Sequence, residues 1–294
     1  MKGAEVRART NSYGVVLLGV LLLVGAVLSA GLATAGGLGR ASLRPGWDGE
    51  RRLVVLLIGS DLGPPARPGN LLRGRADAIH MVAVDAKRKR ATIVDIPRDS
   101  YILGSKVNAY LSTRGPDGLA RVLEDYSGVE IDYWAVTSFA GLRRMVDAMD
   151  GVRISLRRSM YDAGSGADFS IGRQRFRGDE ALAFSRNRKG LVDGDFGRTR
   201  HQGRLLRAVH GQLRDHRFDL PELTRLLGTL SRNTETNIPA RKLFEFAQLA
   251  ISIKPSHVRQ VPLSGGVGTV GLESVVYLDP GGAFADIRTG RIGR

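Results

Sequence analysis

The first hydrophobic segment of the chain is continuous, whereas the later ones are short and separated by polar turns. Residues 14–35 carry no charge, and about twenty apolar residues are enough to cross a bilayer as a helix. The pattern therefore predicts a transmembrane signal anchor over 13–36, after a polar tail over 1–12 and before a linker over 37–50.

The charges around this segment predict its orientation. Lys2, Arg7 and Arg9 precede it, and basic residues favour the cytoplasmic side of a membrane. We expect a single-pass protein of the cell membrane, with a cytoplasmic N-terminus and an extracytoplasmic body. A cleaved signal peptide is the alternative, because residues 33–35 (Ala-Thr-Ala) resemble a small-residue cleavage site.

The body of the chain alternates between short apolar runs and amphipathic segments. The runs predict strands over 53–58, 78–84, 91–96, 133–137 and 257–263. Apolar residues at helical spacing predict helices over 116–126, 139–150, 178–184, 196–216, 221–230 and 239–251. Alternating strands and helices indicate a layered α/β domain, which we place at 51–265, with a weakly structured tail over 266–294.

Charge and composition narrow the classes of partner. The chain has 44 Lys and Arg against 29 Asp and Glu, a net charge of +15 and a pI of about 10.8, which favours a polyanionic partner. An exported body argues against gene regulation, so no nucleic acid is expected. The absence of Cys excludes disulfides, zinc–thiolate sites and Cys nucleophiles.

Charged side chains flank the predicted strands. Asp61 follows the first strand, Arg75 and Asp77 precede the second, and Arg98 and Asp99 follow the third. Two carboxylates on neighbouring strand ends can share Mg²⁺, which prefers oxygen ligands and takes its other ligands from water and substrate phosphates. The alternative is a turn cap at Asp77 and a surface ion pair between Arg98 and Asp99.

A second basic stretch lies between residues 185 and 202. Arg186 and Arg188 are two positions apart after a predicted helix, and Arg198 and Gln202 lie one turn apart on the next helix. Guanidinium groups suit ligands with several anionic oxygens, because each can bond two oxygens in parallel. A solvated basic loop is the alternative.

Two other features are predicted to have no catalytic role. Residues 266–271 match the glycine pattern of dinucleotide sites, but no helix is predicted after them and too little chain remains for such a unit. His80 lies on an apolar strand and is predicted to be a hydrogen-bonded core residue.

The combined motifs resemble the LytR-CpsA-Psr (LCP) family. The match rests on residues 57–61, 75–77, 96–100, 106–109, 180–188, 194–198 and Gln202. It extends over roughly residues 50 to 216. It implies a three-layer α/β/α fold with a central mixed sheet, and a prenyl chain held in an apolar tunnel beneath that sheet.

The resemblance also implies an activity. An LCP protein moves a glycopolymer from a polyprenyl-pyrophosphate carrier to a peptidoglycan hydroxyl and leaves a phosphodiester link. By this resemblance Asp61 and Asp77 would hold Mg²⁺. The pyrophosphate would be bound by Arg75, Arg98, Arg186, Arg188, Arg198 and Gln202. The candidate catalytic residues are Asp77, Arg98 and Asp99, with Asp77 or Asp99 taking the proton of the acceptor hydroxyl.

Two other functions remain open at this point. A polyprenyl-pyrophosphate phosphatase would use the same residues with water as the acceptor. A non-enzymatic, attenuator-type protein would bind anionic polymers through the same arginines and would need no Mg²⁺.

Overall fold

The computed structural model describes residues 52–62, 74–189, 194–215 and 220–294. The predicted tail, anchor and linker over 1–50 lie outside these ranges. Within them, none of the helices combines the length and the apolar character that crossing a bilayer requires.

A six-stranded mixed sheet forms the centre of the molecule, in the order β11-β6-β1-β2-β3-β12. Its strands are β1 (Leu53–Ser60), β2 (Ala76–Asp85), β3 (Arg90–Asp95), β6 (Tyr133–Ser138), β11 (Thr234–Thr236) and β12 (Val258–Pro262). β1 runs parallel to β6 and antiparallel to β2, and β3 runs antiparallel to β2 and parallel to β12. The carboxyl ends of β1, β3, β6 and β12 therefore meet the start of β2 at one edge, which we call the site edge.

Seven helices surround this sheet in the described part of the chain. They are α1 (Ala109–Ser127), α2 (Phe139–Ala148), α3 (Gly178–Arg186), α4 (Gly194–Asp215), α5 (Leu220–Asn233), α6 (Ala240–Ser252) and α7 (Ala283–Arg288). α1 begins at Ala109, before the predicted start at Pro116. Gly115 breaks its regular geometry with a φ of 68°, so the predicted start at Pro116 is an internal kink.

The remaining strands form small two-stranded sheets. They are β4 (Tyr101–Ile102), β5 (Ser105–Lys106), β7 (Val152–Leu156), β8 (Met160–Asp162), β9 (Ala167–Phe169), β10 (Gly172–Phe176), β13 (Ser264–Val270) and β14 (Glu273–Asp279). β4 pairs with β5, β7 with β10, β8 with β9 and β13 with β14. The segment between α2 and α3 is thus built from the short strands β7 to β10.

The two faces of the sheet are covered by different helices. Val54 and Leu56 share a buried cluster with Leu119 of α1 and Phe284 of α7, whereas Leu53 packs in a separate cluster with Phe246 of α6. Neighbouring strand residues point to opposite faces, so β1 packs against helices on both faces of the sheet. The predicted α/β fold with a central mixed sheet and flanking helices is confirmed.

The prediction of a weakly structured tail over 266–294 is wrong. This region contains β13, β14 and α7, and Val275, Val276, Phe284 and Ile287 are buried. The hairpin escaped prediction because most of β13 is exposed, which leaves no alternation of apolar and polar residues. α7 contributes Phe284 and Ile287 to the main core.

Candidate active site

Three of the predicted residues meet where β2 begins and β3 ends. Arg98 donates a hydrogen bond from Nη1 to Oδ1 of Asp77, and its Nε lies 3.6 Å from Oδ2 of Asp99. Asn108 fixes this turn, since its backbone N–H donates to the carbonyl of Arg98 at 3.1 Å and its Nδ2 donates to Asp99 Oδ1 at 3.3 Å.

The second basic stretch folds onto the same place. Arg188 Nη2 lies 3.8 Å from Asp99 Oδ2 and 3.0 Å from Asp195 Oδ1. The same oxygen of Asp195 pairs with Nη2 of Arg198. Ion pairs thus run without interruption through Asp77, Arg98, Asp99, Arg188, Asp195 and Arg198, which we call the arginine–aspartate cluster. It joins segments that are far apart in sequence.

Gln202 ties α4 to this cluster through backbone atoms. Its buried side-chain Nε2 lies 3.3 Å from the carbonyl of Asp77 and 3.3 Å from that of Ser185. The helix that carries Arg198 is thereby bonded to both β2 and α3. Gln202 was predicted to bind substrate, and in the structure its amide nitrogen bridges two backbone segments.

A buried carboxylate outside the predicted set holds the backbone at Arg188. Asp162, at the end of β8, accepts hydrogen bonds at Oδ2 from the backbone N–H of Arg188 (3.0 Å) and of Lys189 (3.2 Å). It also accepts one at Oδ1 from Gly164 at 2.9 Å. These N–H groups, that of Arg188 first, lower the pKa of Asp162 to about 2, because they favour the charged carboxylate.

A second buried carboxylate, that of Asp95, lies between α4 and the sheet. Asp95 is fully buried, and its Oδ1 lies 2.8 Å from His80 Nδ1. Gln260 Nε2 donates to Asp95 Oδ2 at 2.5 Å and to the carbonyl of Arg200 at 2.9 Å. A Cβ on Gly203 would overlap both Asp95 and Gln260, so α4 lies too close to β3 for any side chain there. The prediction of His80 as a hydrogen-bonded core residue is confirmed.

Burial gives the arginines of the cluster different acidities. Arg198 is 4% exposed, and burial lowers its pKa to about 10; the nearby charges of Arg98 and Arg188 act in the same direction, against the attraction of Asp195. Burial also lowers the pKa of Arg98, but Asp77, Asp99 and Asp195 outweigh it and raise that pKa overall. Both groups therefore carry a full charge at neutral pH.

The cluster holds hydrogen-bond donors that its own residues do not use. Arg98 Nε and Arg198 Nε are buried and have no hydrogen-bond acceptor among the described residues. Most buried donors in proteins are paired, and an unpaired one calls for an explanation such as an ion or a ligand. Unused guanidinium donors in a basic cluster are consistent with an anionic ligand.

Three predicted residues lie at the site edge but outside these ion pairs. Asp61 and Arg75 are exposed and are joined by a hydrogen bond of 2.7 Å from the backbone N–H of Arg75 to Asp61 Oδ1. The guanidinium of Arg186, also exposed, lies over the ring of Phe139, 5.3 Å from its centroid. Ser60 pairs with Ala76 and with Ser138, so Asp61, Arg75 and the ring of Phe139 lie at the same end of neighbouring strands as Asp77.

The carboxylates at this edge have the donor chemistry that Mg²⁺ requires. Asp61 and Asp77 lie at the same end of two paired strands. Within the described ranges, no group of three or more His, Asp or Glu side chains could hold a metal. Mg²⁺ is commonly bound by one or two carboxylates together with substrate phosphates, so this pair fits. Its role in Mg²⁺ binding stays a prediction.

Sequence reasoning missed Asp195 and Asp162 as site residues. Asp195 precedes Arg198 by three positions in a helix, a spacing that brings side chains together, so its pairing with Arg198 could have been predicted. Asp162 gave no such signal, because it binds backbone N–H groups more than twenty residues away.

Known proteins share this fold and parts of this sequence. Polyisoprenyl-teichoic acid–peptidoglycan teichoic acid transferase TagV of Bacillus subtilis is 25% identical over 221 residues, which cover 71% of this chain and 56% of TagV. Regulatory protein MsrR of Staphylococcus aureus is 29% identical over 203 residues, covering 67% of this chain and 59% of MsrR. The chain thus spans less than two thirds of the length of these relatives.

Solved structures agree on the architecture. The crystal structure of B. subtilis TagV superposes with a TM-score of 0.66 at 24% identity, covering 82% of this chain and 96% of that one. TagT bound to LI-WTA superposes with a TM-score of 0.67 at 20% identity, covering 87% and 97%. At these identities the likeness establishes the fold alone.

The model of the LytR_cpsA_psr family matches residues 41–281, a range that includes the whole arginine–aspartate cluster and the β13–β14 hairpin. Since the match extends over most of the 294 residues, the chain is a member of the LytR-CpsA-Psr family.

Proposed function

We propose that this protein transfers a glycopolymer from a polyprenyl-pyrophosphate carrier to a hydroxyl of peptidoglycan, forming a phosphodiester. The observation that carries the proposal is the convergence of Arg98, Arg188 and Arg198 at one edge of the sheet. The name of TagV, a teichoic acid–peptidoglycan transferase, supports the same class of donor and acceptor. The predicted anchor would place the reaction at the outer face of the cell membrane.

In the proposed reaction, the acceptor hydroxyl oxygen attacks the phosphorus that bears the glycopolymer. A P–O bond to the acceptor forms, and the bond from that phosphorus to the bridging oxygen breaks. Prenyl monophosphate leaves with the bonding electron pair. The hydroxyl proton passes to a carboxylate, for which Asp77 and Asp99 are the candidates because both adjoin Arg98.

The arginines serve this reaction by holding and neutralising the diphosphate. Phosphoryl transfer depends on positioning and on charge stabilisation more than on a protein nucleophile. Arg98, Arg188 and Arg198 would bind the phosphate oxygens, and the exposed Arg75 and Arg186 would close on them from the rim. The guanidinium groups of the cluster are held in place by Asp77, Asp99 and Asp195, so their charges are already positioned before substrate binds.

Mg²⁺ held by Asp61 and Asp77 would add positive charge beside the phosphates. If so, chelation with EDTA should abolish transfer and added Mg²⁺ should restore it. Asp61→Asn should raise the Mg²⁺ concentration for half-maximal activity by about tenfold, because one of two anionic ligands is lost. An unchanged Mg²⁺ requirement in this variant would exclude Asp61 as a ligand.

The direct test is a reconstituted assay with a lipid-linked glycan and peptidoglycan. Arg98→Ala and Arg186→Ala should abolish transfer while circular dichroism shows a folded protein. Arg177→Ala, which removes an exposed arginine outside the cluster, is the matched control. Full transfer by Arg98→Ala would exclude the proposed site. Phosphate release that does not depend on peptidoglycan would identify a phosphatase instead.

A further inference from the structure

A groove of about 690 Å³ separates the first turns of α4 from the β13–β14 hairpin. Asp195, Phe196 and Arg200 line it from the helix, and Val267 and Val276 line it from the hairpin. Its volume is in the range of small-molecule sites. The phosphates of the proposed donor would occupy the arginine side of Asp195, which leaves this space for a glycan of the transfer reaction.

The groove is continuous with the arginine–aspartate cluster through a shared residue. Asp195 lines the groove, and its Oδ1 pairs with Arg188 at 3.0 Å and with Arg198. A ligand in the groove would therefore lie beside the arginines that are proposed to hold the diphosphate. This is the position that a second substrate must occupy in a transfer reaction.

The hairpin is held at this position by a backbone contact with the site. The N–H of Val276 donates to the carbonyl of Asp99 at 2.9 Å, and Val276 also forms a bridge with Ser100. One wall of the groove is thus bonded to the residue that is a candidate to receive the acceptor's proton. A hydroxyl group placed in the groove would approach from the side of Asp99.

The chemistry of the walls favours a sugar. Phe196, Val267 and Val276 supply apolar surface, and Asp195, Arg200 and Ser264 supply polar groups. Sugars have apolar C–H faces and a rim of hydroxyls, so they match such a mixed lining. A prenyl chain would instead require walls without charged groups, because burying a charge against hydrocarbon is costly.

We propose that this groove binds the acceptor glycan of peptidoglycan, so that the β13–β14 hairpin determines which acceptor sugar is used. The inference rests on the proposed transfer function. It assigns a role to a hairpin that belongs to neither the central sheet nor the cluster.

The two faces of the hairpin provide a matched pair of variants. Val267 is 72% exposed and lines the groove. Val270, 37% exposed, lies three positions further along the same strand and points to the opposite face because side chains alternate. Val267→Glu and Val270→Glu add the same charge to the same hairpin, and neither fills a buried position.

The experiment measures binding and kinetics separately. Binding of a soluble tetrasaccharide fragment of peptidoglycan is followed by NMR, and binding of a prenyl pyrophosphate analogue by calorimetry. Val267→Glu should weaken glycan binding and raise the acceptor KM by about tenfold, a free-energy change of about 1.4 kcal/mol. Its affinity for the pyrophosphate analogue should match that of Val270→Glu.

The possible results distinguish an error in the assignment of the groove from an error in the proposed function. Equal glycan affinities in the two variants, or no glycan binding by the unmodified protein, would overturn the assignment of the groove. Transfer activity in that same unmodified protein would leave the proposed function intact. Weaker binding of the pyrophosphate analogue in Val267→Glu alone would mean that the groove holds the lipid-linked donor, which would also overturn the inference.

Discussion

Asp195 and Asp150 each pair with two arginines, and the two groups differ mainly in the burial of the aspartate. In the cluster, Asp195 pairs with Arg188 and Arg198, and the side chains of Asp195 and Arg198 are 15% and 5% exposed. At the surface, Asp150 pairs with Arg175 and Arg177, and its side chain is 57% exposed. The same residue types thus occupy very different environments.

The difference indicates which property distinguishes the candidate site from another group of arginines. Exposed ion pairs are screened by water and salt and contribute little. Charges removed from water interact strongly with each other and with any anion that enters, and they carry a desolvation cost. The lowered pKa of Arg198 is a sign of that cost, so burial, more than arginine count, distinguishes the candidate site.

The largest expected effect is a loss of transfer activity on replacing an arginine of the cluster, but not on replacing one that pairs with Asp150. Arg198→Ala should lower the transfer rate by about a thousandfold, because a preorganised charge next to the reacting phosphate is lost. Arg175→Ala should leave the rate unchanged. The reconstituted transfer assay measures both, and equal losses in the two variants would contradict the distinction drawn here.

Replacing Asp195 should destabilise the protein much more than replacing Asp150. Asp195→Ala leaves Arg198 buried beside Arg188 without its ion-pair partner, and we expect a loss of about 3 kcal/mol in the free energy of unfolding. Asp150→Ala should leave the urea midpoint close to that of the unmodified protein. Comparable shifts in urea denaturation would show that burial at Asp195 does not matter.

Alkaline pH should affect only the buried arginine group. The pKa of Arg198 is about 10, so its charge is complete at pH 8 and falls as pH rises through 10. We expect kcat/KM to drop about tenfold between pH 9 and pH 11, following the loss of this proton. In Arg198→Lys the drop should begin at lower pH, because lysine has the lower intrinsic pKa. Profiles that coincide would exclude Arg198 as the titrating group.

The smallest expected effect concerns the backbone that positions Arg188. Asp162→Asn should destabilise the protein by about 1 kcal/mol at pH 6, since an amide replaces a carboxylate that accepts backbone hydrogen bonds. The folded pKa of Asp162 is about 2, below the ordinary 3.8, so its stabilisation is complete above pH 4 and is lost as pH falls toward 2. The stability gap between variant and parent should narrow over that range. A constant gap in urea denaturation from pH 6 to pH 3 would contradict this assignment.

The sequence predicted those parts of the molecule that depend on local pattern. The apolar runs at β1, β2 and β3 were recognisable because both faces or alternate positions are apolar. Charged residues next to those runs were placed at the correct edge, and Arg98 and Asp77 do meet. The hairpin and the role of Asp162 were not predictable, because one is mostly exposed and the other depends on contacts distant in sequence.

Gly203 links the packing of the core to the position of the candidate site residues on α4. Gly203 lies in the helix that carries Arg198 and Gln202, against Asp95 of the sheet. A methyl group there would overlap Asp95 and Gln260, so either these side chains or the helix that carries Arg198 would have to shift. The position of Arg198 at the proposed phosphate site therefore also depends on residue 203 having no side chain, although Gly203 lies outside the arginine–aspartate cluster.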